Sequence, residues 1–517
     1  MSKNQPIAPG LQFLYDVLRI FIPNLSNAKF LRNEIDYDDN PIDNTKNDDG
    51  NITDPILFDL NGDGIKTTST NQGLNYDYNN DTFAEKIAWA DEYDGVLVCD
   101  TNDDGQIQGS TDIVLTSNLA RFDSTLDGKI DINDNDFEKL KILKVDGSIL
   151  SLNDAGIESI NISNISNTIY TDTNNNVCKK IGTYKNQNGK EYQYGEYDMK
   201  TNFQNTIELN TLEETEIISS LPDIKSSGTL FSLHQAMIRN EQLLYLVNSF
   251  INEENDTERI SILKEILIKW TNSDNINIDS RGDNVNAQHL NILEKYYGKS
   301  FYSNNEGESE PQNPNIEAGQ KLENSYNILE LNLYSSLMAQ SHFYNYMSLL
   351  SFSYNEEMDS LEINLDNLVQ NLKSLVVDNE SDRKILVYQV AKMIKGLGID
   401  QISNFFDPYD DNCFYTTFTQ NDRELKYLID TIGATEYIDE TGEGEGTGAD
   451  DAFRSESGET SNFHSLYGND VLYGDNQTDH FAACSGDDLL DGGDGDDVLD
   501  SHGGNDIIFA GADESNW

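Results

Sequence analysis

Basic residues are scarce in this chain. Its 517 residues include 34 Lys and Arg against 92 Asp and Glu, a formal charge of −58. Such a chain repels nucleic-acid phosphates and anionic membrane surfaces, so neither is expected as a general partner. Cysteine is scarcer still. Cys99, Cys178, Cys413 and Cys484 stand too far apart for a local disulfide framework or a zinc knuckle. Long apolar runs are missing too. Residues 11–22 are apolar and helix-like but too few to span a bilayer. They read as an amphipathic docking helix, and no integral membrane span is expected. The opening residues lack the basic stretch and apolar run of a secretory signal peptide. The six His show no H-E-x-x-H or Cys/His spacing, and neither G-x-S-x-G nor a P-loop occurs. Zinc catalysis, serine hydrolysis and nucleotide chemistry are therefore left without a motif.

Aromatic residues are not scarce. With 26 Tyr and 21 Phe the chain must build sizeable cores, diluted by polar stretches. Its surplus of Asp and Asn instead points to hard cations as ligands. Residues 24–53, rich in Asn and Asp, read as a linker. Residues 54–136 are acidic and punctuated by Gly. Residues 160–210 alternate short apolar and polar runs, which predicts short strands. Ile260, Leu263, Leu267 and Trp270 recur at spacings of three and four, as do Leu386, Val390, Ile394 and Leu397. That period predicts a helical middle over about 212–435. A loop is expected at 303–314, and 439–448 (DETGEGEGTG) reads as a flexible hinge.

Internal repeats govern the C-terminal part. Asp470, Asp479, Asp488, Asp497 and Asp506 recur every nine residues, each followed two positions later by an apolar residue: Leu472, Phe481, Leu490, Leu499 and Ile508. The row 492–500 fits G-G-x-G-x-D-x-U-x throughout, and Gly493, Gly495 and Gly504 stand at its turn positions or their equivalents. Glycine allows positive φ and tight turns. Each turn would offer carbonyls and one Asp carboxylate to a cation, while the apolar residue points inward from a short strand. Stacked turns then hold calcium between rows of a parallel β-roll. The bland alternative, an acidic disordered tail, does not account for the register or the kept apolar position. Gln477 stands where Gly belongs, so the row 474–482 is expected to bind weakly or not at all.

Four Asp-rich clusters near the N-terminus have calcium-loop spacing. The first is Asp59-Leu-Asn61-Gly-Asp63-Gly64, and the second Asp77-Tyr-Asn79-Asn-Asp81, with Thr82 where the turn Gly would be. The third runs Asp100-Thr-Asn102-Asp-Asp104-Gly105, with Asp112 further on. The fourth fits best: Asp123, Thr125 and Asp127 at positions 1, 3 and 5, Gly128 at 6, Lys129 at 7, Asp131 at 9 and Asp134 at 12. Asp134 replaces the longer bidentate Glu and should bind less tightly. A single cluster of this kind could be a polar Asx turn; four within about 80 residues argue for calcium loops.

Asp54-Pro55 stands directly before the first loop and a strand-like Ile56-Leu-Phe. An Asp carboxylate can attack its own main-chain carbonyl through a five-membered ring, expelling Pro as a secondary amine that protonates readily. Intramolecular attack brings effective molarities on the order of 10⁵–10⁸ M. The resulting Asp anhydride then meets water or a lysine amine. The plain alternative is an inert turn dipeptide, the reading taken for the second such bond, Asp407-Pro408.

Thr53-Asp-Pro-Ile-Leu-Phe-Asp-Leu-Asn-Gly-Asp-Gly-Ile65 resembles the start of the self-processing module of iron-regulated RTX proteins of the FrpA/FrpC type. Further parts follow in that family's order. Asp94-Gly-Val-Leu-Val-Cys-Asp-Thr-Asn102 is similar to its second calcium segment, 122–143 to its EF-hand-like loop and following helix, and Leu152-Asn-Asp-Ala-Gly-Ile-Glu-Ser-Ile160 to the strand region beyond. Leu221-Pro-Asp-Ile-Lys-Ser-Ser-Gly228 resembles the entry to its helical domain. The likeness runs in order over about 54–509. Departures are a shortened second EF-like loop at 144–149, Thr82 in the second cluster, and a chain that ends just past the repeats.

The resemblance implies a multidomain α+β chain. Its parts would be an N-terminal helix and linker (1–53), an EF-hand-like calcium-loop module (54–210), a mostly helical domain (211–437), a linker (438–450) and a parallel β-roll (451–517). It implies calcium as cofactor and calcium-triggered, single-turnover cleavage, with Asp54 as nucleophile and acyl donor and Pro55 as leaving amine. It also implies leaderless export by type I secretion machinery and a lysine-bearing protein acceptor for the new Asp terminus. The alternative is a calcium-binding surface or interaction protein without self-processing.

Overall fold

The computed structural model describes residues 54–101, 107, 109–301, 313–355, 360–376, 380–406, 412–437, 443–446, 450–455 and 460–510. The expected docking helix at 11–22, the linker at 24–53, Asn102, Asp104 and Asp407-Pro408 lie outside these residues.

The first structural unit is built on an eight-stranded antiparallel sheet. Its strands in chain order are β1 (Ile56–Phe58), β4 (Gly95–Cys99), β5 (Lys129–Asp131), β6 (Leu140–Leu143), β7 (Ile149–Ser151), β8 (Ile157–Thr171), β9 (Val177–Asn186) and β10 (Glu191–Asp198). Across the sheet they run β5-β8-β9-β10-β1-β4-β6-β7. Three others, β2 (Leu74–Tyr76), β3 (Phe83–Ile87) and β11 (Thr201–Glu208), form a small second sheet in the order β11-β3-β2.

The short strand β1 lies between β10 and β4, pairing Leu57 with Gly195 on one side and Val96 on the other. All three of its residues are fully buried. Because side chains alternate across a strand, Ile56 and Phe58 enter one core with Leu97, Phe122, Ile130 and Tyr194. Leu57 enters the opposite core with Trp89, Val96, Val98 and Tyr197. The Asp54-Pro55 bond thus leads directly into the middle of the sheet.

Two expectations are corrected in this unit. The strands over 157–208 are long rather than short: 15, 10, 8 and 8 residues in β8 to β11. Extended hairpin pairing between β8 and β9, interrupted by bulges, joins polar runs that looked like breaks. The fourth loop, moreover, is not followed by an EF-hand helix. A single 3₁₀ turn, Phe137–Lys139, leads into β6. Leu140 and Ile142 alternate with Lys141 and pair with β4, so the sheet takes the stretch that the resemblance assigned to a helix.

The middle of the chain is a helical assembly with one β-hairpin (Ser351–Asn355 and Ser360–Asn364). The surplus Asn residues act here as caps: Asn240, Asn255, Asn286 and Asn315 each accept backbone N–H groups at a helix start. Leu263, Leu267 and Trp270, on the helix Asp256–Trp270, share a core with Val390 and Ile394 of the helix Glu380–Gly396. Pro314 is described at the end of the expected loop at 303–314; most of that loop lies outside the described residues.

The last unit is a parallel β-roll. Strands Thr435–Tyr437, Asp451–Arg454, Val471–Tyr473, Leu489–Asp491 and Ile507–Phe509 form one sheet, and Glu443–Glu445, Ser461–His464, Asp479–Ala482 and Val498–Asp500 the other. Leu472 pairs with Leu490, Leu490 with Ile508, and Phe481 with Leu499. Each pair is two nonapeptides apart, so alternate rows feed alternate sheets. Part of the expected hinge at 439–448 is strand, because Glu443–Glu445 pairs with Asn462 to His464 as the first layer of the second sheet. Phe453, Phe463, Leu472, Phe481 and Leu490 fill the interior. The helix Arg423–Asp430 anchors the roll: Lys426 Nζ lies 2.9 Å from Asp491 and 2.7 Å from the Tyr473 hydroxyl, which donates to Asp430.

Candidate functional site

The repeat aspartates form a ladder inside the roll. Asp470 Oδ1 accepts the N–H of Asp451, Asp488 Oδ1 that of Asp470, and Asp506 Oδ1 that of Asp488. On the other side Asp479 Oδ1 accepts from Ser461 and Asp497 Oδ1 from Asp479. One oxygen of each carboxylate therefore fixes the coil one turn earlier. The second oxygen behaves differently from row to row. Asp470, Asp488 and Asp497 each keep a buried Oδ2 without a hydrogen-bond partner. Unpaired buried carboxylate oxygens are costly, and a hard cation is the group that satisfies several at once. The Oδ2 of Asp479 instead accepts the N–H of Asp475. That engagement falls in the row with Gln477, the one expected to bind weakly.

The glycines make the close stacking of the coils possible. Gly493 and Gly495 have φ of +86° and +146°, and Gly504 +158°. A Cβ on Gly495 would stand 2.1 Å from the Gln477 carbonyl oxygen, and one on Gly504 1.6 Å from that of Gly486. Only a residue without Cβ lets successive coils stack this closely. The donor set of hard oxygens fits calcium, and the residues that would hold it are Asp470, Asp488, Asp497 and these turn carbonyls. Bound calcium would supply positive charge to the buried acids and join neighbouring coils.

Burial pushes Asp470 up to about 8 and Asp488 up to about 6, with neighbouring carboxylates adding to the effect. Both values exceed the ordinary 3.8, so the calcium-free roll binds more protons than the unfolded chain. Its stability is then greatest below about pH 4 and is lost as pH rises through about 6 and 8. Far-UV circular dichroism of the calcium-free protein should show more β-structure at pH 5 than at pH 8. Calcium added at neutral pH should release protons. A β-signal that is constant or rises with pH would contradict this.

All four N-terminal clusters are placed at least in part. In loop one, buried Asp59 accepts the N–H groups of Gly62 and Gly64 at 2.7 and 3.1 Å. Asn61 accepts from Asp63, and Asp63 pairs with Lys66 at 2.6 Å. In loop two, Asp77 accepts from Asp81 and Thr82 at 3.2 and 3.1 Å, and Asn79 from Asp81 at 3.0 Å. Thr82 takes a φ of +79°, the conformation a glycine would supply. In loop three, Asp100 directly follows β4 and buried Asp112 accepts from Thr101 at 3.3 Å. In loop four, Asp123 holds the N–H groups of Asp127 and Gly128, Asp127 accepts that of Lys129, and Asp134 accepts those of Thr125 and Asp131. Lys129 also pairs its ammonium with Asp131 and Asp127. Among the described residues no three carboxylate, imidazole or thiol groups already converge on one point.

Two acids beside these loops were missed in the sequence. Asp94 is buried and accepts the N–H groups of Leu60 and Lys66, closing loop one; burial pushes it up to about 7. Glu85, at position 9 of loop two, is equally buried, is pushed up to about 7, and leaves Oε2 unpartnered. The spacing from Asp77 to Glu85 was the available signal for the second. Asp94 lies 35 residues beyond Asp59 in the chain, and only the fold brings it back.

Pro55 is buried, and its carbonyl accepts the N–H of Tyr197 at 3.1 Å. Together with Tyr76, Tyr78, Ile87, Trp89, Ile113 and Met199 it lines a small cavity. Tyr76 and Tyr78 flank Asp77 of loop two, and Ile113 follows Asp112 of loop three. Loop two also touches the end of loop three, where Ser110 donates to the Tyr78 carbonyl at 2.7 Å. Asp54 is half-buried, and its Oδ1 lies 2.8 Å from Lys179 Nζ.

Two family models match separate parts of the chain. Residues 56–200 match the SPM domain family. Residues 463–483 and 485–514 match the RTX calcium-binding nonapeptide repeat. The iron-regulated protein FrpA of Neisseria meningitidis serogroup C is 23% identical over 257 residues, covering 43% of this chain and 22% of that protein. The chain thus spans about a fifth of the length of that curated relative. The repeats make it a calcium-binding RTX protein, of a kind typically exported. Its likeness is to the FrpA/FrpC type. Among the described residues no helix is long and apolar enough to cross a membrane.

Proposed function

We propose that this protein cleaves its own Asp54-Pro55 bond when calcium orders the loops around it. The observation that carries the reading is the Pro55 pocket, whose walls flank the acidic residues of loops two and three. Pro55 lines that pocket, and its carbonyl is held by the N–H of Tyr197. Ordering of the loops fixes the leaving group while the Asp54 carboxylate stays beside the bond it attacks. The carboxylate oxygen adds to the Asp54 main-chain carbonyl carbon, the C–N bond breaks, and the Pro55 nitrogen takes up one proton as it leaves as a secondary amine. Water or a lysine amine then opens the cyclic Asp anhydride. The calcium sites act by positioning, and turnover is single. Type I export, folding of the repeats in millimolar external calcium, and a lysine-bearing acceptor accompany this reading.

Asp54→Ala is the direct test. In calcium the parent protein should acquire a chain beginning at Pro55, read by N-terminal sequencing, and the variant should acquire none. A Pro55 terminus in the variant would remove Asp54 from the chemistry. A second reading, a calcium-binding scaffold without self-processing, would follow if neither protein yields that terminus.

A further inference from the structure

Lys179 lies on β9, two strands from β1, and reaches across β10 to the start of β1. Its Nζ sits 2.8 Å from Asp54 Oδ1 and 3.7 Å from Asp198 Oδ2. The next residue, Lys180, points to the other face of the strand. Its Nζ is held by Glu196 at 2.7 Å and Thr116 at 2.8 Å. One lysine of the chain is therefore already in contact with the carboxylate expected to become an anhydride. Resting on the self-processing reading, we propose that Lys179 is the internal acyl acceptor. On this view the segment 1–54 is transferred to the Lys179 side chain rather than lost to water.

The proton and electron balance closes within the ion pair. At the start Asp54 is a carboxylate and Lys179 an ammonium. As the Asp54 carboxylate attacks and the C–N bond breaks, Lys179 gives a proton to the departing Pro55 nitrogen. Loss of that proton leaves a neutral amine, and formation of the anhydride removes the carboxylate charge that held the ammonium. The amine adds to an anhydride carbonyl in the same ring as the former Oδ1. The C–O bond of the anhydride breaks and a carboxylate leaves. The proton shed by the new amide goes to the Pro55 amine. Net charge is unchanged and no co-reactant is consumed. Contact in the ground state gives this amine the proximity advantage over a lysine arriving from solution. Asp198, on the other side, keeps the side chain at the site after Asp54 is spent.

The product is a branched chain with a new N-terminal Pro55 and an unchanged total mass. Three proteins separate the outcomes: the parent, Lys179→Arg and Lys180→Arg, each taken from EDTA into millimolar calcium. Arginine keeps a cation beside Asp54 but has no amine to acylate. The parent and Lys180→Arg should show the Pro55 terminus at unchanged intact mass, and trypsin should no longer cut after Lys179. Lys179→Arg should release free 1–54, the two fragments together weighing one water more than the starting chain. Release of free 1–54 by the parent, or Asp54 joined to another lysine, would overturn the Lys179 assignment and leave self-processing intact. Absence of a Pro55 terminus in all three would overturn both.

Discussion

Withdrawal of calcium is expected to unfold the repeats while the helical middle keeps its helices. Residues 438–517 carry 21 acids and one base, Arg454. In the roll, Asp470 and Asp488 on one side and Asp479 on the other have their side chains out of water. Self-repulsion and the desolvation of these carboxylates oppose folding unless a cation offsets them. The apolar interior is a single line of side chains and offers little to compensate. The far end should open first, since Ile507, Ile508 and Phe509 are partly exposed. The helix Arg423–Asp430 braces the side of the roll, through Glu424 to Arg454 near its start and through Lys426 to Asp491 near its end. Limited proteolysis in EDTA should cut within 461–510 at least tenfold faster than in millimolar calcium, on the reasoning that cleavage tracks the open population. Equal rates would mean that the roll stands without calcium.

Asp77→Ala should slow the appearance of the Pro55 terminus by about 100-fold or more, the scale of loss that a misplacement near 1 Å brings. Asp77 holds the turn of loop two through the N–H groups of Asp81 and Thr82. Thr82 sits in a left-handed conformation that costs about 1–3 kcal/mol and persists only where surrounding bonds enforce it. Without Asp77 the turn relaxes, and Tyr76 and Tyr78 shift in the cavity they line with Pro55. The repeats are separate from this loop, so their calcium-induced protection from protease should be unchanged. A loss of less than twofold in the cleavage rate would show that the pocket does not depend on loop two.

Most of what could be read from the sequence was local and periodic. The nine-residue spacing of Asp470 to Asp506 placed the roll, and the spacing of Ile260, Leu263, Leu267 and Trp270 marked a helix. Loop four was legible because positions 1 to 12 lie within one stretch of chain. The central place of Ile56–Phe58 was not legible. A three-residue strand carries almost no pattern, and its neighbours β4 and β10 come from about 40 and 140 residues later. Thr82 looked like a defect in loop two, yet the Asp77 hydrogen bonds hold it in the conformation that Gly would have supplied. The helix at the end of 122–143 was expected from the family resemblance alone, and pairing of Leu140–Leu143 with β4 makes that stretch a turn and strand. Lys179 gave no signal at all, since its meaning lies in a contact across 125 residues of sequence.

The measurement that bears most directly on this account is N-terminal sequencing of the purified full-length protein, first in EDTA and then in millimolar calcium, with nothing else added. It reads cleavage whether the Asp54 acyl group ends on water, on Lys179 or on another chain. A single original N-terminus is expected in EDTA, and a second sequence, Pro-Ile-Leu-Phe from Pro55, after calcium. Calcium-induced folding of the repeats with no sequence from Pro55 would contradict it and leave a calcium-binding RTX scaffold.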